Sequence, residues 1–254
     1  MRQLRALIFD VDGTLADTER DGHRIAFNQA FAAAGLDWNW SESLYGELLA
    51  VAGGKERIRS YLARHQPAFK PQDDWERFLA ELHALKTKHY QQLLSRAAIG
   101  LRPGVKRLIL EAQAADLRLA IATTSALPNV IALLEQHLDP SWFEVIAAGD
   151  IVPAKKPAPD IYYYVLDAMG LEPGDCMVFE DSYHGLQAAM GAGLKTIVTM
   201  NDYTQGQDFT GACLVVDHLG EPSQPFRVLA GNMENQAKAS LVDLALVHSL
   251  HSST

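Results

Sequence analysis

Residues 4–17 read LRALIFDVDGTLAD. The mixed apolar run Leu4–Phe9 reads as a buried strand, and it ends directly in Asp10, Val11, Asp12, Gly13 and Thr14. Two carboxylates one residue apart, at the carboxyl end of a parallel strand, stand where open α/β sheets place their ligands. Residues two apart on a strand share a face, but a turn just after the strand aims them differently. One carboxylate can then attack a phosphorus atom while the other handles a proton. An unpaired set of carboxylates repels itself, so a nearby cation is expected. The competing reading, a surface Asp-Gly turn, is weakened by the acids, hydroxyls and lysines at later strand ends of the chain.

The chain has 254 residues, enough for one large or two modest domains, and its 48% apolar content is ample for a packed core. Acidic residues outnumber basic ones, 31 to 22, for a formal charge of −9. That balance argues against nucleic acid as the main partner, because phosphate backbones select basic surfaces. It leaves room for a small phosphorylated substrate held by a few local Lys and Arg side chains. The only cysteines are Cys176 and Cys213, so no disulfide framework is implied and a reducing compartment fits. Cys176, inside the strand-like DCMVFED, is expected to be a small buried apolar residue. Asp10 interrupts the pattern of a signal peptide, and no apolar run approaches the length that spans a bilayer. A soluble, cytoplasmic protein that uses no membrane is the expectation, with a monomer as the expected state.

Strand-like and helix-like segments alternate in the second half. LRLAIAT (118–124 approximately), FEVIAAG, DCMVFED and LKTIVTM read as strands, separated by helix candidates at 127–138, PDIYYYVLDAMG with Gly170 as its C-cap, and SYHGLQAAMGAG. This alternation predicts a doubly wound parallel α/β sheet, flavodoxin- or Rossmann-like, with helices on both faces. The stretch from Thr18 to Arg96 differs: RIAFNQAFAAAG, GKERIRSYLARH and DDWERFLAELHALKTKHYQQLL carry helical periodicity and few strand signals. It reads as a helical cap, residues 18–96, inserted after the first strand of a core made of 1–17 and 97–254. Hinges are expected at Leu15–Asp17 and Arg96–Pro103, with the insert above Asp10 and Asp12. After Tyr203, CLVVDHL is expected to add an edge strand and SLVDLALVHSL an amphipathic helix.

Four chemical pieces fall at successive strand ends. Asp10 with Asp12 is the first. Thr123, Thr124 and Ser125 come after the strand LRLAIA; their hydroxyls and backbone N–H groups can donate to phosphoryl oxygens, although Ser125 is also the residue expected to cap the next helix. In AKKPAPD, Lys155 and Lys156 precede Pro157. A Lys reaching an acidic site would offset carboxylate repulsion and hold phosphate charge, and Lys156 is preferred because it abuts a proline that restricts its direction. The alternative is a solvated loop lysine. Glu180 and Asp181 end the strand CMVF, where buried acids are costly unless paired or bound to metal. Hard oxygen ligands without His or Cys suit Mg2+; the alternative is that Asp181 only caps the next helix. Together the pieces describe a phosphoryl-transfer site.

DVDGT, Thr123, Lys156 and the Glu180–Asp181 pair resemble the four ordered motifs of the haloacid dehalogenase superfamily, over the chain up to about residue 200. The resemblance implies a flavodoxin-like sheet with a helical cap after the first strand. It implies Asp10 as the nucleophile that forms an aspartyl-phosphate and Asp12 as the general acid and later base. Thr123, Thr124, Ser125 and Lys156 would hold the phosphate. Asp10, Asp12 through its backbone carbonyl, Glu180 and Asp181 would hold Mg2+.

A cap of this size is expected to exclude macromolecules and admit small phosphorylated metabolites. GGKER, residues 53–57, can open a helix toward an anion, with Lys55 and Arg57 adding charge and Arg57 offering a bidentate fork; a solvated helix start is the plain alternative. DGTLADTE, WNW, GGKERI, LRPGV, ATTSALPNV and EDSYHGLQAA resemble the CbbY-type sugar phosphatases more finely. That similarity implies removal of the 1-phosphate from xylulose-1,5-bisphosphate, an inhibitor of the carbon-fixing enzyme Rubisco, with Glu19, His23, Tyr45, Gly54, Lys55, Arg57 and Lys86 contacting the substrate. One departure is visible: the stretch from Thr18 to Phe27 is one residue longer than in that group. The rival activities are a β-phosphoglucomutase-like phosphomutase, which would pass the phosphate to a sugar, and a phosphoglycolate-type phosphatase. A non-catalytic protein on the same fold would be expected to have lost one of Asp10, Asp12, Lys156 or Asp181, and all are present.

Overall fold

Four consecutive apolar residues with no access to solvent make the first strand, β1 (Ala6–Phe9), as expected of a strand covered on both faces of a parallel sheet. The structure, a computed structural model, describes residues 3–51, 53–71, 74–96, 98–231 and 239–253. In chain order, β1 and a π-helical turn (Glu19–His23) are followed by α1 (Arg24–Ala33), α2 (Glu42–Leu48), α3 (Gly54–His65), α4 (Trp75–Ser95) and α5 (Val105–Ala114). Then come β2 (Arg118–Thr123), α6 (Leu127–His137), β3 (Val145–Ala148), α7 (Asp160–Met169), β4 (Cys176–Glu180), α8 (Tyr183–Gly191), β5 (Lys195–Thr199), β6 (Leu214–Val216), β7 (Val228–Gly231) and α9 (Leu244–Ser252). The chain divides into two compact units, with boundaries at Asp17/Thr18 and Ile99/Gly100.

In the first unit the strands lie in the order β3-β2-β1-β4-β5-β6-β7, parallel throughout except for antiparallel β7. The first six strands take the Rossmann order, in which the direction of strand addition reverses beside β1, and ligands bind at such switch points. Register fixes what meets there. Phe9 lies opposite Ile121 on one side and Phe179 on the other, so the next residue, Asp10, comes level with Glu180, and its N–H donates to the Phe179 carbonyl at 3.0 Å. Phe9 and Phe179 also stack, with centroids 4.7 Å apart. Helices cover the sheet through buried faces such as Ile161, Tyr162, Val165 and Met169 of α7.

Local chemistry explains several helix ends. Gly170 closes α7 in the left-handed conformation. Ser182 caps α8, accepting from Gly185 N at 3.2 Å, so Asp181 is not the cap. Nor is Ser125 the cap of α6: that place belongs to Ala126, which offers no side-chain acceptor. CLVVDHL holds β6, but β6 is not the edge. The edge is β7, whose exposed residues, Val228 to Gly231, carry no burial pattern that a sequence reading can find. SLVDLALVHSL forms α9, capped by Asp243 and burying Leu246, Val247 and Leu250. Among the described residues no helix is long and apolar enough to cross a membrane.

The second unit, Thr18–Ile99, is helical. Its core is aromatic: Phe27, Phe31, Trp40 and Tyr45 are fully buried, and Phe27 lies 4.6 Å from Trp40 between ring centroids. Loss of such a ring costs about 3–5 kcal/mol. Ser41 caps α2 and Asp74 caps α4; Asp73, where the helical stretch is expected to begin, lies outside the described residues. The π-helical turn falls inside Thr18–Phe27, the stretch that reads as one residue longer than in the group it resembles, and a π turn adds one residue to an α-helical turn. Gly22 inside it is required by packing, since a Cβ would come within 2.5 Å of Ile99 and 2.8 Å of Tyr90.

Candidate active site

Lys156 pins the strand ends together. Its ammonium donates to Asp10 Oδ1 at 2.7 Å, Glu180 Oε1 at 2.5 Å and the Ala122 carbonyl at 2.8 Å, which uses all three N–H groups. It also lies 5.3 Å from the centre of the Tyr162 ring. Lys155, by contrast, points away and pairs with Asp150 at the surface.

Glu180 is completely buried. Its Oε1 accepts from Lys156 and, at 2.7 Å, from the Tyr162 hydroxyl, while Oε2 accepts from Asp181 N at 3.2 Å. Gly185 faces this carboxylate so closely that any Cβ there would overlap it. Asp181 Oδ2 accepts from Asn201 Nδ2 at 2.7 Å. A second glycine is demanded beside it: Gly13 sits at φ +84°, and a Cβ there would overlap the Asp181 carboxylate.

Asp12 turns the other way. Its Oδ2 accepts a short hydrogen bond from the Ser125 hydroxyl. Thr123, at the end of β2, is buried and accepts from Ser125 N at 3.1 Å through Oγ1, whereas Thr124 is exposed. Asp10, Asp12, Thr123, Ser125, Lys156, Glu180 and Asp181 are thus assembled within the first unit.

Charge does not balance at this place. Burial, with Glu180 and Asp12 adding to it, raises the Asp10 carboxyl to about 8 despite the ammonium beside it. Burial, then Asp10 and Glu180, also pushes Asp181 well above the carboxylate range. Burial disfavours the charge on Lys156, but Asp10 and Glu180 outweigh it and hold the ammonium well above its usual value. Lys156 therefore serves two of these carboxylates directly, and Arg102 offsets only part of the effect at Asp181. Ligand oxygens of Asp10, Glu180 and Asp181 all lie within 4.8 Å of one another. An all-oxygen, anionic donor set short of positive charge fits a hard divalent cation.

In the second unit, the Tyr45 hydroxyl donates to Glu19 Oε2 at 2.6 Å and accepts from Arg57 at 3.0 Å. Arg57 also donates to the Leu48 carbonyl at 3.2 Å. Lys86 lies 2.8 Å from His23 Nδ1 and over the rings of Phe27 and Tyr90, at 5.1 and 5.0 Å. His23 stacks on Tyr90; burial, then Lys86, Arg57 and His83, hold its imidazole well below the usual value. Gly54 opens α3 against His83, where a Cβ would come within 2.5 Å of the ring. Lys55 is exposed. The sequence-predicted residues of this unit thus fall into two polar groups, Glu19–Tyr45–Arg57 and His23–Lys86, with Gly54 and Lys55 at a helix start.

Three residues around the acids escape a reading of the sequence: Tyr162, Asn201 and Arg102. Asn201 comes just past the end of β5 as Asp10 comes past β1, and that placement is the one signal that could have found it.

The fold and the strand-end acids define a hydrolase of the doubly wound α/β class. The family model for haloacid dehalogenase-like hydrolases matches residues 4–193. The chain belongs to that family, and it is an enzyme of the phosphoric monoester hydrolase class. It is 48% identical over 225 residues to protein CbbY (plasmid) of Cupriavidus necator, covering 87% of this chain and 88% of the relative. It resembles the crystal structure of CbbY from Rhodobacter sphaeroides in complex with phosphate, with a TM-score of 0.73 and 46% identity, over 85% of this chain and 95% of that one. It also resembles the D10N mutant of the same protein in complex with xylulose-1,5-bisphosphate, with a TM-score of 0.74 and 44% identity, over 87% and 98%.

Proposed function

We propose that this enzyme is a Mg2+-dependent phosphatase of a small sugar phosphate, acting through an aspartyl-phosphate, and that its substrate is xylulose-1,5-bisphosphate, converted to xylulose-5-phosphate and phosphate. One observation carries the reading: a buried Asp10 touches Lys156, with the oxygens of Glu180 and Asp181 close enough to share a cation with it. The complex of the R. sphaeroides relative with that bisphosphate supports the choice of substrate.

The cation would be held by Asp10, Asp181 and Glu180 with the Asp12 carbonyl, and when bound it would supply positive charge to bring a phosphoryl group against a carboxylate. The residues then divide the work. An Asp10 oxygen attacks phosphorus and carries the phosphoryl group. Asp12 gives its proton to the leaving sugar oxygen and later takes one from the water that frees the phosphate. Ser125 holds the Asp12 carboxyl in place for both steps. The Thr123–Ser125 segment, and Lys156 on turning one N–H from its protein acceptors, hold the phosphoryl oxygens. In the second unit, Glu19, His23, Tyr45, Gly54, Lys55, Arg57 and Lys86 read the sugar and its second phosphate, for which an Arg fork and two ammonium groups are suited.

The test is phosphate release over a panel of sugar bisphosphates and monophosphates, with Mg2+ and with chelator. Release from xylulose-1,5-bisphosphate that is fastest in the panel and lost with chelator is expected. Isomerised sugar phosphate without free phosphate would establish a mutase instead.

A further inference from the structure

Arg102 stands directly after the inserted unit, in LRPGV, and its side chain is almost completely buried in the core. A buried guanidinium is expensive unless each of its five N–H groups finds an acceptor. Here each does. Nε pairs with Asp17 Oδ1 at 3.3 Å. Nη1 makes a short bond to the Gly13 carbonyl and reaches Thr199 O and Oγ1 at 2.8 and 3.1 Å. Nη2 donates to the carbonyls of Met200 and Asp217 at 2.8 and 2.6 Å. Its backbone N–H donates to Leu15 O at 2.8 Å, tying it to the same loop.

These acceptors are not scattered. Each of three leads to the acidic cluster in one step. Gly13 is the residue after Asp12, and its carbonyl is also 3.5 Å from Asn201 Nδ2. Met200 precedes Asn201, whose amide holds Asp181. The Thr199 hydroxyl, which accepts from Arg102, lies within 3.4 Å of the Glu180 carbonyl and donates to it. A guanidinium on one side of the sheet edge thus sets the backbone from which Asp12, Glu180 and Asp181 all project.

We infer that Arg102, working with Asn201, is a positioning residue for the acidic cluster and sets its affinity for the divalent cation. The inference rests on the divalent-cation reading of the proposed function. Partners that orient a metal's own ligands typically change metal affinity by 10–100-fold when removed. A Lys in place of Arg102 keeps the charge but has three donors for these acceptors, so it should not rescue the site.

Mg2+ binding to substrate-free protein by isothermal titration calorimetry tests this, beside melting temperature and kinetics. Arg102→Lys is expected to bind Mg2+ at least about tenfold more weakly, 1.4 kcal/mol, and Asn201→Ala about tenfold more weakly. At saturating Mg2+ the variants should lose kcat with little change in KM for the sugar phosphate. Wild-type Mg2+ affinity in a folded Arg102→Lys overturns the inference, whatever its melting temperature. If Arg102→Lys does not fold, unchanged affinity in Asn201→Ala overturns it. Failure of the wild-type protein to bind Mg2+, where Asp181→Asn is the matching control, sinks the divalent reading itself and this inference with it.

Discussion

The Ser125 hydroxyl donates to the Asp12 carboxylate across 113 residues of chain. The residue sits where a helix cap is expected, yet α6 begins at Leu127 and its cap position is Ala126, which has no side-chain acceptor. Its oxygen is used on the neighbouring strand end. A proton-transferring carboxyl needs a fixed direction, and a hydrogen bond to a charged group contributes about 1.5–3 kcal/mol. Ser125→Ala should therefore lower kcat by roughly 10–100-fold and change the melting temperature little. Steady-state kinetics decide it; a kcat within twofold of wild type would remove Ser125 from the site.

Asp10→Asn tests the nucleophile. The amide keeps the shape but cannot form the acyl-phosphate, and loss of an enzyme's nucleophile costs on the order of 10^4–10^6 in kcat. Turnover should vanish while circular dichroism and the unfolding transition persist. Substantial phosphate release with Mg2+ present would show that another group attacks.

Tyr162 is a third point of leverage. Its hydroxyl and Lys156 share Glu180 Oε1, and its ring lies beneath the ammonium. Without the hydroxyl, Lys156 is the side-chain donor left to Glu180 Oε1, and the ammonium is expected to shift toward it and away from Asp10. Tyr162→Phe removes one buried hydrogen bond, about 1–2 kcal/mol, so kcat/KM should fall roughly 5–30-fold. Tyr162→Leu, which also removes the ring, should fall further. Equal activity of Tyr162→Phe and wild type would leave Lys156 positioned by Asp10, Glu180 and the Ala122 carbonyl without the hydroxyl.

How much the sequence discloses depends on where the chemistry resides. The strand ends were legible because buried apolar runs that stop at Asp10, Thr123 and Glu180 are local patterns, and a doubly wound sheet brings such ends together. The Gly13 and Gly185 requirements are not local: each exists because a carboxylate distant in sequence occupies the space of a Cβ. Arg102, Tyr162 and Asn201 were illegible for the same reason, since their partners lie on other strands. The edge strand β7 failed differently. Val228–Gly231 is exposed throughout, so its pairing to β6 leaves no hydrophobic period to read.

If Lys55 and Arg57 read a second phosphate, removing either should damage a bisphosphate substrate selectively. Lys55→Ala or Arg57→Ala is expected to raise KM for xylulose-1,5-bisphosphate by about tenfold, the worth of one charge-assisted contact, and KM for a small monophosphate by less than about twofold. Because Arg57 also supports Tyr45, Arg57→Lys is the sharper probe: it keeps the charge and loses the fork. Equal losses on both substrates would end the second-phosphate role.

His23 gives the second unit an acid-sensitive point. Burial comes first, and Lys86, Arg57 and His83 around it are all basic, so the folded imidazole resists protonation far below its ordinary 6.5. The unfolded chain, near 6.5, binds the proton more readily between the two values. Stability from this group is therefore complete above about pH 6.5 and is lost as pH falls below it. Other titrating groups act in the same range, notably Asp10 and Asp181, whose raised values work in the opposite sense. The informative quantity is a difference: melting temperature against pH from about 7.5 to 5 for wild type and for His23→Gln. The variant, which keeps a polar side chain but cannot take a proton, should lose less on acidification, and the two curves should converge toward low pH. Parallel curves would mean that His23 is as free to protonate in the folded chain as in the unfolded one.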